Sequence, residues 1–144
     1  MKTYIVALVV FAVGVLNPAA PAWSVDKVTD ATLVKRQTAL VPKLTELVAD
    51  AGGFPPAKVV ISVAPHQISI AVAIKKGKET AADREIQAAQ MSSAVENEIA
   101  GKDEFGQVMV IHVNYVERHG KSAPLIQGYD FFKSPEGAFV LHKT

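Results

Sequence analysis

The stretch Ile68-Ser69-Ile70-Ala71-Val72-Ala73-Ile74 decides the fold of this chain. Large apolar residues alternate in it with small or polar ones, which is typical of a β-strand with one buried face. Just before it, Lys58–Val63 is rich in β-branched residues, and Ala64-Pro65-His66 lies between the two runs. Because this connection is short and contains a proline, we expect the two strands to form a hairpin.

A long helix is predicted directly after the hairpin. Gly77 ends the second strand, and Thr80 then provides a side chain that can cap a helix. Asp83 places a carboxylate in the first turn, where it interacts favourably with the helix dipole. Apolar and small residues continue at helical spacing as far as Gly101, so this face can pack closely on a sheet.

Another helical segment is predicted before the hairpin. Its apolar positions begin after a cap at Thr29 or Asp30, and Gly52-Gly53 ends it. Pro42 interrupts the segment, because proline lacks an N–H and its ring collides with the preceding turn. We therefore expect either a kink or two helices, with Pro42 opening the second one.

The C-terminal part of the chain is predicted to be a three-stranded meander. Gln107–Arg118 alternates over its whole length, and a turn at His119–Ser122 reverses the chain. Leu125–Phe132 returns, Ser134–Gly137 is a tight turn, and Ala138–His142 is the last strand. The order α, β, β, α, β, β, β favours an α+β two-layer sandwich, with about five mostly antiparallel strands and two helices on one face, over a parallel sheet.

The same order of a hairpin, a helix and a meander resembles the cone-shaped folds of the nuclear transport factor 2 type, in which the sheet is curved. This is a fold-level analogy, and it implies a curved-sheet cone as the alternative architecture. It carries no statement about function, because the chain contains no motif of that or another family.

The N-terminus has the pattern of a secretory signal peptide. Lys2 precedes an uncharged apolar run, Tyr4–Leu16, which is shorter than the about 20 residues that a membrane-spanning helix needs. Asn17-Pro18-Ala19-Ala20-Pro21-Ala22 ends the run and closes with the A-x-A arrangement of a cleavage site. We predict a signal peptide over residues 1–22 and an exported chain, periplasmic or extracellular, that begins at Trp23. The alternative is an uncleaved anchor or a buried first helix.

The mature chain, residues 23–144, is predicted to be a single α+β domain. It has no cysteine, so no disulfide and no cysteine-linked lipid stabilises or anchors it, and no stable membrane anchor is expected after cleavage. The whole sequence has 15 Lys and Arg against 14 Asp and Glu, and removal of Lys2 leaves 14 against 14. This near-neutral balance argues against nucleic-acid binding, which needs a basic surface.

Strand parity sorts the side chains of the meander onto two faces. One face is expected to be the core that the helices cover, and the other combines polar and apolar residues. The core face is predicted to contain Met109, Ile111, Val113, Tyr115, Tyr129, Phe131, Phe139 and Leu141. The opposite face is predicted to contain His112, Asn114, Asp130 and His142, together with Val108, Val110, Val116, Phe132 and Val140, and with Ala71 and Ala73 of the preceding strand.

The opposite face is the best candidate for a functional site, and its residues allow more than one kind of chemistry. Two imidazoles and a carboxylate can bind a divalent metal, or the aspartate can orient a histidine that acts as a base. Isolated polar residues on a half-exposed sheet are the other interpretation. No nucleophile motif, phosphate loop or metal-ligand spacing is present, so we assign no catalytic residue, metal or cofactor. The candidate ligand or interface residues are His112, Asn114, Asp130, Phe132 and His142.

The apolar residues of this face suggest an interface, because a contiguous exposed apolar patch usually marks a contact surface. A homodimer, a small apolar ligand, or cover by the segment around Trp23 would each bury it; surface valines chosen for β-propensity are a further explanation. The leading hypothesis is an exported, non-enzymatic binding domain, homodimeric through this face. The second is a small hydrolase or metal-dependent enzyme that uses His112, Asp130 and His142, and the third is an accessory of a larger envelope assembly.

Overall fold

Residues 22–77 and 79–143, which the computed structural model describes, form three α-helices and five β-strands. The chain from Val34 onward belongs to one compact unit, whose architecture is described below. Apart from Ala22, the predicted signal peptide lies outside the described residues. The helices are α1 (Ala22–Ala39), α2 (Val41–Gly52) and α3 (Ala81–Ile99), and the strands are β1 (Val59–Ala64), β2 (Gln67–Ala73), β3 (Val110–Val116), β4 (Leu125–Lys133) and β5 (Phe139–His142).

The first predicted helical segment is two helices, divided at Leu40. Pro42 lies in the first turn of α2, where its missing N–H costs no hydrogen bond. Gly53 ends α2 in the left-handed conformation, with φ of 74°, which glycine adopts without steric cost. The predicted start at Thr29 or Asp30 is wrong, because α1 is already helical at Ala22. No glycine or proline lies between these positions to interrupt it.

The sheet has the strand order β1-β2-β3-β4-β5. The predicted hairpin is confirmed, with β1 and β2 antiparallel around Pro65-His66, and so is the predicted meander of β3, β4 and β5. The one parallel pair among the described strands is β2 with β3, and α3 makes the crossover between them. The predicted α+β class with mostly antiparallel strands is confirmed, and the open sheet is consistent with a two-layer sandwich.

The core lies between the sheet and the pair α2 and α3. Each strand contributes every second residue to it, as a sheet with one buried face requires. Complete burial of a single valine, leucine or isoleucine stabilises the fold by roughly 1.5–3 kcal/mol. The fully buried apolar residues include Leu44, Val48, Ile68, Ile70, Val72, Met91, Val95, Ile111, Val113 and Tyr115.

The start of α3 is attached to the sheet by two tyrosines of the core. The Tyr115 hydroxyl donates to the Arg84 carbonyl at 3.0 Å, and the Tyr129 hydroxyl donates to the Ala81 carbonyl at 2.9 Å. The rings meet edge to face, with centroids 6.1 Å apart. The predicted cap at Thr80 is confirmed: its hydroxyl accepts from the Asp83 N–H at 3.1 Å.

The predicted burial of two residues just before β3 is reversed in the structure. Val108 was expected on the outer side but is completely buried, whereas Met109 was expected in the core but is 51% exposed. The strand begins only at Val110, and the Val108 N–H bonds to the Phe105 carbonyl in a turn. Strand alternation therefore does not apply to these two positions.

Candidate functional site

The face of the sheet that points away from α2 and α3 is called the outer face here. The cross-strand register places its residues in two parallel rows. The polar row consists of Ser69, His112, Asp130 and His142, one each from β2 to β5, and the apolar row consists of Val110, Phe132 and Val140 from β3 to β5. Four of the five predicted site residues lie in these rows.

His112 and Asp130 form the closest contact of the polar row. They are register partners on β3 and β4, and His112 Nδ1 lies 2.6 Å from Asp130 Oδ1. The side chains are 26% and 48% exposed, so the pair is open to solvent or to a partner. With a proton on Nδ1 the imidazole donates to the carboxylate, which leaves Nε2 for another group. An imidazole held in this way has a defined orientation.

His142 lies in the same row but makes a different contact. Its ring meets Phe132 edge to face, with centroids 5.3 Å apart, although Asp130 is its register partner on β4. Within the described residues, no group of three or more His, Cys, Asp or Glu side chains could hold a metal ion. The predicted set of His112, Asp130 and His142 therefore lies in one row without forming such a group.

Asn114 lies one step along β3 from the polar row, outside both rows. Its register partner on β4 is Gly128, and a Cβ atom at that position would lie 2.8 Å from Asn114 Oδ1. The absence of a side chain at position 128 makes room for the amide over β4. Asn114 is half-buried. Among the described residues, its side chain forms no hydrogen bond with the other predicted site residues.

The apolar row makes the outer face partly hydrophobic. Phe132 and Val140 are 45% and 55% exposed, and Val60 on β1 is 51% exposed. Val110 and Val116 are half-buried, as are Ala71 and Ala73. Apart from Val60, for which no orientation was predicted, these residues point outward as predicted, and the prediction is wrong for Val108. Aliphatic and aromatic side chains thus surround the polar row on a surface that α2 and α3 do not cover.

Two residues of the outer face, Ser69 and Gly128, did not emerge as candidates from the sequence. Ser69 lies beside His112 because β2 and β3 are parallel neighbours, a pairing between segments far apart in the chain. Gly128 matters because it has no side chain, which leaves room for the Asn114 amide. Neither has a local signal, since serine is common on exposed strand faces and a lone glycine in a strand has several explanations.

Outside the outer face, two side chains of the turn after β3 contact each other. His119 Nε2 lies 3.2 Å from Glu117 Oε1. The hydrogen bond from His119, together with one from the Lys76 backbone N–H, lowers the pKa of the Glu117 carboxyl. This pair connects neighbouring residues of a solvent-exposed turn, and it has no contact with the polar row.

Comparison with known families, curated proteins and solved structures finds no match to this chain. None of the helices in the described part of the chain has the length and apolar character to span a membrane. The function is therefore argued from the surface itself.

Proposed function

We propose that this chain is an exported, non-enzymatic domain that self-associates through the outer face, sheet against sheet. One observation carries the proposal: Phe132 and Val140 are about half exposed in a row beside the oriented His112–Asp130 pair. Exposed aromatic and aliphatic residues around a few positioned polar groups have the composition of a protein interface. The proposal that the chain is exported rests on the signal-peptide pattern of residues 1–22.

The size of the outer face favours a weak, reversible dimer. Five strands about 4.8 Å apart, each of roughly seven residues at 3.3 Å, form a face of roughly 550 Å². Stable interfaces bury about 800 Å² on each partner, and smaller ones belong to transient complexes. Sheet-to-sheet pairing with a twofold axis presents the same rows from both copies. A small apolar ligand is the weaker choice, because half-exposed side chains do not enclose it as a pocket does.

A hydrolase or metal-dependent enzyme using His112, Asp130 and His142 is the second candidate. The 2.6 Å contact between His112 and Asp130 favours it, because an oriented imidazole can act as a base. Against it, the strands β3 and β4, which carry His112 and Asp130, are paired on both sides, so their backbone N–H groups are not free to stabilise an oxyanion. Unchanged hydrolytic activity in His112→Ala and Asp130→Ala variants would remove this candidate.

Export predicts a defined N-terminus. When an exporting bacterial host produces the chain, we expect the intact mass of the purified protein to correspond to residues 23–144. Replacing Ala22 by tryptophan should stop processing, because the cleavage site needs a small residue there. The matched control is Ala19→Trp, which leaves Ala20 and Ala22 in place and should be processed normally. A chain that keeps Met1 in the exported fraction would contradict the prediction.

If the chain self-associates, its average mass in solution should rise with protein concentration, and one substitution in the interface should weaken this association. We expect sedimentation velocity over about 5 to 500 µM to show a monomer–dimer equilibrium with a dissociation constant of roughly 10–100 µM. Phe132→Glu should weaken the dimer at least about tenfold, because it removes an aromatic contact and places two carboxylates near the axis.

The matched control for this variant is Ile86→Glu. Ile86 lies on α3, in the helical layer, and is 60% exposed, so the change adds the same charge at another exposed apolar position. The control should associate as the unmodified chain does. A chain that stays monomeric at the highest concentration, or Phe132→Glu and Ile86→Glu variants that behave alike, would refute the proposed interface.

A further inference from the structure

A cavity of about 490 Å³, here called the end cavity, lies where the end of α3 meets the turn between β4 and β5. The 3-10 turn Asp103–Phe105 forms its third side. None of the residues of the polar and apolar rows lines it. Whatever the end cavity binds would therefore be independent of contacts made by the outer face.

The floor of the end cavity is apolar and belongs to the core. Ile99 and Phe105 are buried, with 6% and 2% of their surface exposed. Phe139, at the start of β5, is half-buried and packs against the same core. A ligand with an aliphatic or aromatic body would cover these side chains and remove apolar surface from water.

Two of the half-buried charged residues that line the end cavity, Glu96 and Lys133, have opposite charges and bond to backbone groups. Glu96 Oε1 accepts a hydrogen bond of 3.4 Å from the Phe139 N–H, and Lys133 Nζ donates one of 3.4 Å to the Gly106 carbonyl. Both partners are backbone groups, so each side chain is positioned without its charge being neutralised. Among the described residues, neither Glu96 nor Lys133 forms an ion pair, with the other or with a third side chain.

A neighbouring carboxylate on α3, in contrast, is paired with lysines. Glu98 contacts Lys43 at 3.0 Å and Lys102 at 3.7 Å. The hydrogen bond from Lys43 is the main cause of the lowered pKa of the Glu98 carboxyl. Lys102 and the exposed Asp103 also line the end cavity. Among the half-buried charged residues that line it, Lys102 is paired with Glu98, whereas Glu96 and Lys133 have no ion pair in the described part of the chain.

We propose that the end cavity binds a free α-amino acid with an apolar side chain. The ligand ammonium pairs with Glu96, the ligand carboxylate pairs with Lys133, and the side chain covers Ile99, Phe105 and Phe139. A molecule with both charges and an apolar body matches all three features. A carboxylate without an amine leaves Glu96 unpaired, and an amine without a carboxylate leaves Lys133 unpaired. The cavity volume is sufficient for one such molecule.

The test is a titration of the ¹⁵N-labelled full chain followed by NMR. The probes are L-phenylalanine, phenylacetate, which lacks the amine, and phenethylamine, which lacks the carboxylate, each up to about 10 mM. We expect phenylalanine to shift the amide signals of Gly101, Gly106 and Gly137, which line the cavity, with a dissociation constant on the order of 1 mM. Each analogue should bind roughly tenfold more weakly, because it loses one charge-assisted hydrogen bond.

A variant separates ligand recognition from structure. Glu96→Gln keeps an oxygen that can accept from the Phe139 N–H but removes the charge. It should weaken phenylalanine binding by roughly tenfold, but it should not weaken phenylacetate binding, because it removes only a carboxylate that repels this ligand. The matched control is Glu85→Gln, the same change on the same helix outside the cavity, which should bind phenylalanine normally.

Several results would overturn the proposal. The absence of any phenylalanine-induced shift of the Gly101, Gly106 and Gly137 signals would refute it, and so would binding of the two analogues as tight as that of phenylalanine. Equal affinity of the Glu96→Gln and Glu85→Gln variants for phenylalanine would also refute it. The analogue series uses the unmodified chain, so the test stands even if Glu96→Gln disturbs the fold. Self-association through the outer face is measured separately, and its outcome does not bear on this site.

Discussion

Replacing Ile70 by alanine is expected to lower the free energy of unfolding by about 3–4 kcal/mol. Ile70 is completely buried in the second strand of the sheet. Its register partners are Ile61 on β1 and Val113 on β3, both buried as well. Truncation therefore removes a large apolar side chain from the middle of a close-packed row and leaves a cavity that neighbouring strands cannot close.

Urea denaturation followed by circular dichroism measures this effect. A domain of this size has about 5–15 kcal/mol of stability, so the variant should unfold at a markedly lower urea concentration with an unchanged slope. The matched control is Ile86→Ala, at an exposed position of α3, which should cost no more than about 0.5 kcal/mol. Similar losses in both variants would contradict the assignment of Ile70 to the core.

Strongly alkaline solution is expected to destabilise the fold through Tyr115. Burial, together with the nearby charge of Glu79, raises the pKa of the Tyr115 hydroxyl above its ordinary value of about 10. Above pH 10 the unfolded chain therefore loses this proton while the folded chain retains it. The folded state then binds more protons, so stability falls as the pH rises, by up to about 1.4 kcal/mol per pH unit for this one group. Below pH 10 this contribution to pH dependence is absent.

The Tyr115→Phe variant isolates this effect. Loss of the hydroxyl removes the hydrogen bond to the Arg84 carbonyl, which should cost about 1 kcal/mol at neutral pH. Between pH 10 and 12, however, the stability of the variant should fall less steeply than that of the unmodified chain. Burial raises the pKa of Tyr129 too, so a smaller slope is expected to persist. Identical slopes in the two proteins would show that Tyr115 ionises as readily when folded as when unfolded.

Local signals in the sequence predict the elements of this fold well. The alternation of Ile68–Ile74, the proline in the turn before it and the cap at Thr80 each depend on residues close together in the chain, and each is confirmed. For Pro42 two outcomes were expected, a kink or the start of a second helix, and the second is confirmed. Where the alternation was extended too far, at Val108 and Met109, the strand had not yet begun.

The outer face was predictable to a smaller extent. The meander has an even register between β3, β4 and β5 at this point, so parity alone places His112, Asp130 and His142 in one row. Parity does not determine rotamers, and therefore it could not show that His112 contacts Asp130 while His142 contacts Phe132. The end cavity was missed, because it combines the end of a helix with a distant turn.

The parallel pairing of β2 with β3 has a consequence for how the chain folds. In every other strand pair of the described sheet only a turn separates the two strands, so each pairing closes a short loop. The pairing of Gln67 with Val110 closes the long loop that contains α3. Of the loop-closure entropy that the sheet costs, the largest part therefore belongs to this one pairing. We expect the docking of the β1–β2 hairpin onto the meander to be the slow step in forming the sheet, because it is the strand pairing of longest range.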